Sequence, residues 1–479
     1  MPNITINAKD FLIGESVTEF SPNGGYSPTS DSINLLAEVG LLKPGPAYTD
    51  LSGTITGNIL AMNQDDTATL AEELIMVGEG TGAAGATFYR WENSAAAPVL
   101  KQSDTGTART YSSKYTDIQR FNGNVFASSR YDIAKIDAAA MSSIDPDWWS
   151  TTATGLLQSS NHRFLVYDKK LFVTDQYKLH YWDGSAITLD VLDLSGVELN
   201  EITDIAVNES TGDMLIAAQP NVTQGIRQNS KIYIWDGTST IPNRVIHTNG
   251  FISSFFTHGG TTYVFYDDMF GYFNGSGITA LKKLDIEQTH DDYVYKQKVT
   301  SVGDTIYITE TDKILAFGPL YPGGSNVFYH VYNQNNNTAG ATGNITAIRA
   351  YANNSIAVGS KVKKFGKFTS DASDAPDSTF VSNTYYLPEN SLITKVDVLL
   401  EGAMVSGDNI NFKVYYSDAP DTSVSLGGFT YSIDGAISQR TFQHLDKKSA
   451  SIKIEAEWAA GETGIRQIKI YYEKVEENL

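Results

Sequence analysis

The 479-residue chain contains no cysteine, which excludes disulfides, thiolate metal sites and thiol nucleophiles. It also has no uninterrupted apolar run of about 20 residues, so no membrane-spanning helix is expected. The first seven residues show no basic segment followed by an apolar stretch. We therefore expect a chain without a signal peptide that is made and assembled in a cytoplasm.

Positive charge is scarce as well. The chain has 35 Lys and Arg against 55 Asp and Glu, a net charge of −20, and only ten of the basic residues are Arg. Binding of nucleic-acid phosphates depends on clustered Lys and Arg, so sequence-specific nucleic-acid binding is not expected. An acidic wall past which nucleic acid slides without sticking is compatible with this balance.

The composition that is present favours strands. The chain carries 27 Tyr and 21 Phe, 41% of its residues are apolar, and 40 Gly are available for turns. Aromatic and β-branched residues suit the half-buried surface of a sheet. This composition predicts an all-β protein with a large core.

One short pattern recurs and organises the chain. Residues 179–185 (LHYWDGS) and 231–238 (KIYIWDGT) are near copies, and residues 271–276 (GYFNGS) are a softer third copy. Alternating apolar residues that run into an aromatic and then Asp-Gly or Asn-Gly predict a hairpin with a type I′ turn. The residues assigned to the repeated blade core are Trp91, Trp182, Asp183, Gly184, Trp235, Asp236, Gly237, Phe273, Asn274 and Gly275.

Hairpins repeated roughly every 40 to 50 residues are typical of a β-propeller. Seven such units can be counted in residues 56–370. Residues 318–344, between the sixth and seventh units, are predicted to form an ordered loop with a strand in its middle. The rest of the chain divides into an extended arm (1–55), a linker (371–378) and a C-terminal β-sandwich (379–479). Strict alternation, as in Ile452, Ile454, Ala456 and Trp458, predicts the sandwich strands.

No motif predicts a reaction, a metal or a cofactor. Seven His show no ligand spacing, and 55 acidic residues make any single carboxylate pair uninformative for glycoside hydrolysis. Trp148 and Trp149 are either a packing pair between blades or a platform for stacking a sugar. We therefore predict no catalytic residue, no metal ligand and no cofactor, so that the protein is not an enzyme.

The arm carries apolar residues that something must cover. Two interpretations are open: the arm docks on the chain's own propeller, or it contacts a neighbouring subunit. The residues assigned to this contact are Asn34, Leu35, Leu36, Leu41, Leu42 and Pro44.

The order of elements resembles a known family. An arm with residues 33–36 (INLL) and then 43–46 (KPGP), a propeller and a closing β domain resemble the tail hub or nozzle proteins of short-tailed phages. Asn34 and Pro44-Gly45 fit the family's pattern, whereas Lys43 stands where the family has Arg. The resemblance spans the whole chain in element order, and absence of Cys in an Asn-, Gly- and Thr-rich β chain is also usual for phage particles.

This resemblance implies a structural virion protein located in the tail and assembled in the host cytoplasm. It also implies other virion proteins as partners and a homo-oligomeric ring, typically of six subunits, around a channel for DNA. Two other classes stay open from the sequence. One is a receptor- or glycan-binding tail fibre or adaptor protein, and the other is a propeller glycoside hydrolase.

Overall fold

A computed structural model gives the fold for most of the chain. The described residues are 3–7, 35–38, 41–44, 47–51, 53, 55–65, 73–80, 85–92, 95, 97–104, 109–112, 114–137, 141–153, 157, 160–196, 200–220, 229–284, 296–310, 313–319, 325–333, 345–351, 355–360, 365–369, 378–382, 384–461 and 463–474. Asn34, Gly45 and most of the predicted linker lie outside them.

The chain divides into two compact units. One contains Met1–Thr49, Asp312–Ala341 and Phe368–Leu479, and the other contains Asp50–Thr311 and Thr342–Lys367. Neither of the two short helices in the described residues is long or apolar enough to cross a membrane.

The N-terminal segment contributes four short strands. They are β1 (Asn3–Asn7), β2 (Leu35–Glu38), β3 (Leu41–Pro44) and β4 (Ala47–Asp50).

Seven four-stranded antiparallel sheets follow, and each is one blade of a propeller. Blade 1 comprises β5 (Ile59–Asp65), β6 (Glu73–Glu79), β7 (Ala86–Glu92) and β8 (Val99–Asp104). Blade 2 comprises β9 (Ile118–Phe121), β10 (Asn124–Ser128), β11 (Ile133–Asp137) and β12 (Ile144–Asp145), and helix α1 (Trp148–Thr152) follows it. Blade 3 comprises β13 (Phe164–Tyr167), β14 (Lys170–Asp175), β15 (Lys178–Trp182) and β16 (Ile187–Asp193).

The remaining blades repeat this arrangement. Blade 4 comprises β17 (Asn200–Val207), β18 (Met214–Pro220), β19 (Lys231–Trp235) and β20 (Arg244–His247). Blade 5 comprises β21 (Ile252–His258), β22 (Thr261–Tyr266), β23 (Met269–Phe273) and β24 (Ile278–Lys283). Blade 6 comprises β25 (Val299–Val302), β26 (Thr305–Glu310), β27 (Lys313–Pro319) and β28 (Asn326–Asn333). Blade 7 comprises β29 (Ile345–Tyr351), β30 (Ser355–Ser360), β31 (Phe365–Thr369) and, from the N-terminal segment, β4.

The first strand of each blade is the innermost one. Contacts run from β5 to β9, β13, β17 and β21 in turn, and from β25 through β29 to β5, so that the inner strands of successive blades lie side by side. The all-β prediction and the count of seven blades are therefore confirmed.

Two boundaries differ from the prediction. The strand predicted in the middle of residues 318–344 is present as β28, but it is the fourth strand of blade 6, so residues 326–333 belong to a sheet rather than to a loop. Strand β4 lies within the predicted arm, yet it pairs with β31, because blade 7 has only three strands of its own after residue 344. Directly after β4, the Leu51 N–H donates to the Phe365 carbonyl at 2.8 Å.

The C-terminal region is one hydrogen-bonded sheet of nine strands. Its elements are β32 (Ser378–Val381), β33 (Tyr385–Leu400), β34 (Asn409–Tyr416), β35 (Ala419–Thr430), helix α2 (Tyr431–Asp434), β36 (Gln439–Ala460) and β37 (Ile465–Lys474). The main order is β2-β3-β37-β33-β36-β34-β35, with β1 on β37 and β32 on β36.

Long β36 connects the two halves of this sheet. Its first part pairs with β33 and its second part with β34, so a single continuous strand serves both. The predicted alternation is present, since Ile452, Ile454, Ala456 and Trp458 are all buried in one core. That core also includes Ile6 of β1.

Candidate functional site

The repeated Asp-Gly motif forms a turn that its own Asp side chain holds. Asp183 Oδ1 accepts hydrogen bonds from Ser185 N, Ser185 Oγ and Ala186 N, each at 2.8 Å. Gly184 has φ of +99°, whereas Asp183 is not among the residues with positive φ. The predicted type I′ turn is therefore wrong here. A type I′ turn needs two positive φ values, and side-chain bonding achieves the reversal with one.

The other two copies use the same bonds. Asp236 Oδ1 accepts from Thr238 N and Ser239 N at 2.8 Å, and Asn274 Oδ1 accepts from Ser276 N and Gly277 N at 3.0 and 2.9 Å. The N–H and O–H donors at the two Asp turns favour the ionised carboxylates of Asp183 and Asp236. The Ala186 and Ser185 bonds lower the pKa of Asp183, and the Ser239 and Thr238 bonds lower the pKa of Asp236.

The repeated aromatic residues pack against the preceding blade. Trp91 of blade 1 lies 5.3 and 5.2 Å from the rings of Tyr351 and Phe365 in blade 7. Trp182 of blade 3 lies 5.1 Å from Phe126 in blade 2.

The same placement holds for the next two copies. Trp235 of blade 4 lies 6.0 Å from Phe172 in blade 3, and Phe273 of blade 5 is in one cluster with Leu215 and Ile232 of blade 4. The repeated aromatics are therefore residues that join neighbouring blades.

Trp148 and Trp149 are buried in helix α1, with exposed fractions of 7% and 2%. They lie in a cluster with Phe126 of blade 2 and Trp182 of blade 3. Asp132 holds the helix, because its Oδ2 accepts from Ser150 Oγ at 2.6 Å. Neither indole presents a face to solvent, so this structure offers no sugar-stacking platform at the pair.

A set of buried polar contacts joins the inner strands of different blades. Asp117, directly before β9 in blade 2, is buried. Its Oδ2 accepts from Phe164 N of blade 3 at 3.0 Å, and its Oδ1 accepts from Ile118 N at 2.9 Å and from Gln297 Nε2 at 2.7 Å. Gln297 precedes blade 6, which lies opposite blade 2 in a seven-membered ring. Its carbonyl accepts from Ile348 N of blade 7 at 2.8 Å.

Asp204 repeats this arrangement in blade 4. Its carboxylate is buried, its Oδ2 accepts from Phe255 N of blade 5 at 2.7 Å, and its Oδ1 accepts from Lys296 Nζ at 2.8 Å. In blade 6, Thr300 Oγ1 accepts from Ala350 N of blade 7 at 2.9 Å. Lys296 and Gln297 therefore bind blades that are not their neighbours, and we call residues 117, 204, 296 and 297 the axial brace.

A second polar group lies beside the inner strands of blades 3 and 4. Arg163 is fully buried, and its Nη2 donates to the Lys114 carbonyl at 2.9 Å. Burial raises the pKa of Glu201, while Lys114, a bond from Gln219 and the charge of Arg163 oppose that rise. Within the described residues, Arg163 Nη1 and Gln219 Oε1 are buried without a hydrogen-bond partner.

Sequence reasoning missed the axial brace. A signal was available, because the triplet Thr-Asp-Ile occurs at residues 116–118 and again at 203–205, at the innermost strand of blades 2 and 4. An acidic residue inside an apolar strand marks a buried carboxylate that needs partners. Its partners at 296 and 297 carry no local pattern.

The arm residues pair with the C-terminal sheet. Leu35 and Leu36 of β2 pair with Pro44 and Lys43 of β3, and Leu42 of β3 pairs with Ile465 of β37. Leu41 pairs with Glu38. In the described part of the arm, strands β1 to β3 thus join the sheet of the first unit, and β2 also contacts β28 of blade 6. Contact of the arm with a neighbouring subunit stays a prediction.

The hydrogen bonds of the buried side chains in the axial brace connect blades of the propeller and thereby stabilise it. The carboxylates of Asp117 and Asp204 are each shared among two or three donors. Among the described residues, no three His, Asp or Glu are grouped so that they hold a metal ion.

Comparison with models of known protein families finds no match, and comparison with curated proteins finds none either. Three solved structures illustrate the similarity that exists. The extracellular domain of the putative hybrid two-component system BT3049 from B. thetaiotaomicron is 13% identical with a TM-score of 0.49, over 88% of this chain and 57% of that one. Streptogramin B lyase is 9% identical with a TM-score of 0.44, over 67% of this chain and 97% of that one. The WD40 β-propeller domain of Doa1 is 11% identical with a TM-score of 0.43, over 69% and 99%.

This chain therefore spans a little over half of the first of these structures. One of the three is named as a lyase and the others are named as domains without a reaction. At these identities and scores, nothing about catalysis follows in either direction.

Proposed function

We propose that this protein is a structural, non-catalytic component of a bacteriophage tail. In this proposal it is hub- or nozzle-like, forms a closed ring with further copies of itself, and contacts other virion proteins. The observation that carries the proposal is the order of elements: N-terminal strands, a seven-bladed propeller and a closing β sheet. This is the order for which the chain resembles the tail hub and nozzle proteins of short-tailed phages.

Two further observations support the structural role. The axial brace commits the buried carboxylates Asp117 and Asp204 to backbone N–H groups and to Gln297 and Lys296. A glycosidase needs two carboxylates that are available to substrate, and these two are not. In addition, four strands of the N-terminal segment are built into sheets that other parts of the chain form, which favours mechanical integrity.

The charge of −20 fits passage of DNA through a ring of such subunits. An acidic wall repels phosphates, so DNA passes without being held. The proposal locates the protein in the tail of the particle, after assembly in the host cytoplasm.

The test is to purify particles from cells that carry the gene, and from cells in which it is deleted. We expect peptides of this protein in the particles and a ring at the tail in electron micrographs. We also expect deletion to give DNA-filled heads without a complete tail. Absence of the protein from purified particles, with normal tails after deletion, would contradict the proposal.

A further inference from the structure

We propose that copies of this chain exchange strand β1, so that β1 of one subunit pairs with β37 of the next subunit in the ring. The inference rests on the self-association in the proposed function and names the element that provides it. It follows from how β37 is covered, from what β1 buries, and from the length of chain that connects β1 to β2.

Strand β37 needs a partner on the side away from β33. On that side, Asn3–Asn7 pair with residues 467–471, from Asn3↔Tyr471 to Asn7↔Gln467. Strand β3 pairs with β37 at only one position, Leu42↔Ile465. Without β1, the backbone of residues 467–471 would be an open sheet edge, which is a template for strand addition.

The seat for β1 is specific. Ile6 is 1% exposed and belongs to the same core as Ile468 and Ile470, and Ile4 packs against that core. A shift of one residue would turn both isoleucines away from the core, so the register is fixed by burial. The seat selects an Ile-x-Ile strand and has no requirement for which copy of the chain supplies it.

The connection allows either source. Strand β1 ends at Asn7 and β2 begins at Leu35, which leaves 27 residues between them. Fully extended, a segment of that length reaches up to about 90 Å. Exchange of an identical element keeps every native contact, so it has little energetic cost. Within a ring, the neighbouring seat is also present at high effective concentration.

Absence of cysteine makes the origin of β1 measurable. Thr5 pairs with Lys469 across β1 and β37, and cross-strand Cα distances of about 4.5 to 5.5 Å permit a disulfide. The full-length double variant Thr5→Cys, Lys469→Cys is oxidised at the concentration where light scattering reports its mass. Leu399→Cys, Gln467→Cys is the matched control, because these residues pair across β33 and β37 within the C-terminal region.

On a non-reducing gel we expect a ladder of covalent multimers from the β1 variant and monomers from the control. If light scattering shows a ring but the β1 variant gives only monomers on the gel, strand exchange is overturned and the self-association still holds. A monomer by both methods would overturn strand exchange and the proposed ring together.

A second variant does not depend on disulfide formation. Ile6→Asp removes β1 from its seat, and β1 pairs with no blade of the propeller. We expect a fall in mass from ring to monomer, while the circular dichroism spectrum of the strands is retained. A folded variant that still forms the ring would contradict the proposal.

Discussion

The side-chain amide of Gln297 donates a 2.7 Å hydrogen bond to the carboxylate of Asp117, 180 residues earlier in the chain. Asp117 precedes the inner strand of blade 2, and Gln297 precedes the inner strand of blade 6. Because these blades lie on opposite sides of the ring, one hydrogen bond joins parts of the propeller that no strand pairing connects.

Replacement of Gln297 by Ala should therefore destabilise the propeller. The change leaves one buried oxygen of Asp117 with fewer donors, so we expect a loss of about 1 to 3 kcal/mol in the free energy of unfolding. Urea unfolding followed by tryptophan fluorescence measures it. Gln119→Ala is the control, since the Gln119 side chain donates to the carbonyl of the adjacent Arg120. A loss equal to that of Gln297→Ala would contradict the brace.

Asp204→Ala should be more harmful. It removes the partner of Lys296 and of Phe255 N, and loss of one member of a buried charged pair typically costs about 3 to 5 kcal/mol. Asp204→Asn keeps an acceptor for Phe255 N and should cost less. Equal unfolding free energies for the two variants would show that the acceptor for Phe255 N contributes nothing beyond the charge of Asp204.

Trp235→Ala tests the blade assignment. Trp235 is fully buried, packs against Phe172 of the preceding blade and donates its indole N–H to the Ser239 carbonyl at 2.6 Å. Removal of such a side chain costs about 3 to 5 kcal/mol. In thermal melts, Leu189→Ala on the exposed outer strand β16 should change little. An unchanged melting temperature in Trp235→Ala would show that the repeated aromatic is not part of the blade core.

His162 predicts a pH dependence of stability. Its ring is buried, with Nδ1 2.8 Å from the Thr174 carbonyl and Nε2 3.0 Å from the Arg130 carbonyl. Burial lowers the pKa of His162, although Asp175 and the two carbonyls oppose this and Arg163 assists it. Since the folded pKa lies below the unfolded value of about 6.5, the unfolded chain binds the proton more tightly. Stability is therefore present above about pH 6.5 and is lost as the pH falls toward the folded pKa.

The measurement is urea unfolding between about pH 5 and pH 7.5. His162→Gln should reduce the slope of the unfolding free energy against pH by up to about 1.4 kcal/mol per pH unit. His247→Gln, at an exposed position of β20, is the control variant. A slope that His162→Gln does not alter would show that this ring is not the titrating group.

Most of the fold could be predicted from short sequence patterns. The aromatic–Asp–Gly turns gave the blades because the turn chemistry lies within a few adjacent residues, and strict alternation at Ile452–Trp458 marked the strands of the C-terminal sheet. The turn type was mispredicted, because the bonds from Asp183 Oδ1 replace a second positive φ.

The long-range strand pairings could not be predicted from the sequence. Nothing near β4 indicates that it completes blade 7, and nothing near β1 indicates that it covers β37, since these partners are separated by hundreds of residues. The axial brace is hidden for the same reason. Asp117 could be suspected as a polar residue at the start of an apolar strand, but Gln297 is defined only by the closed ring.

The most direct test of the proposed role is the mass of the purified protein in solution by light scattering, across a range of concentrations. We expect a closed ring whose mass is a fixed multiple of the subunit mass, and six is the number of subunits that the resemblance implies. A protein that remains monomeric at every concentration, alone and with isolated phage tails, would contradict it.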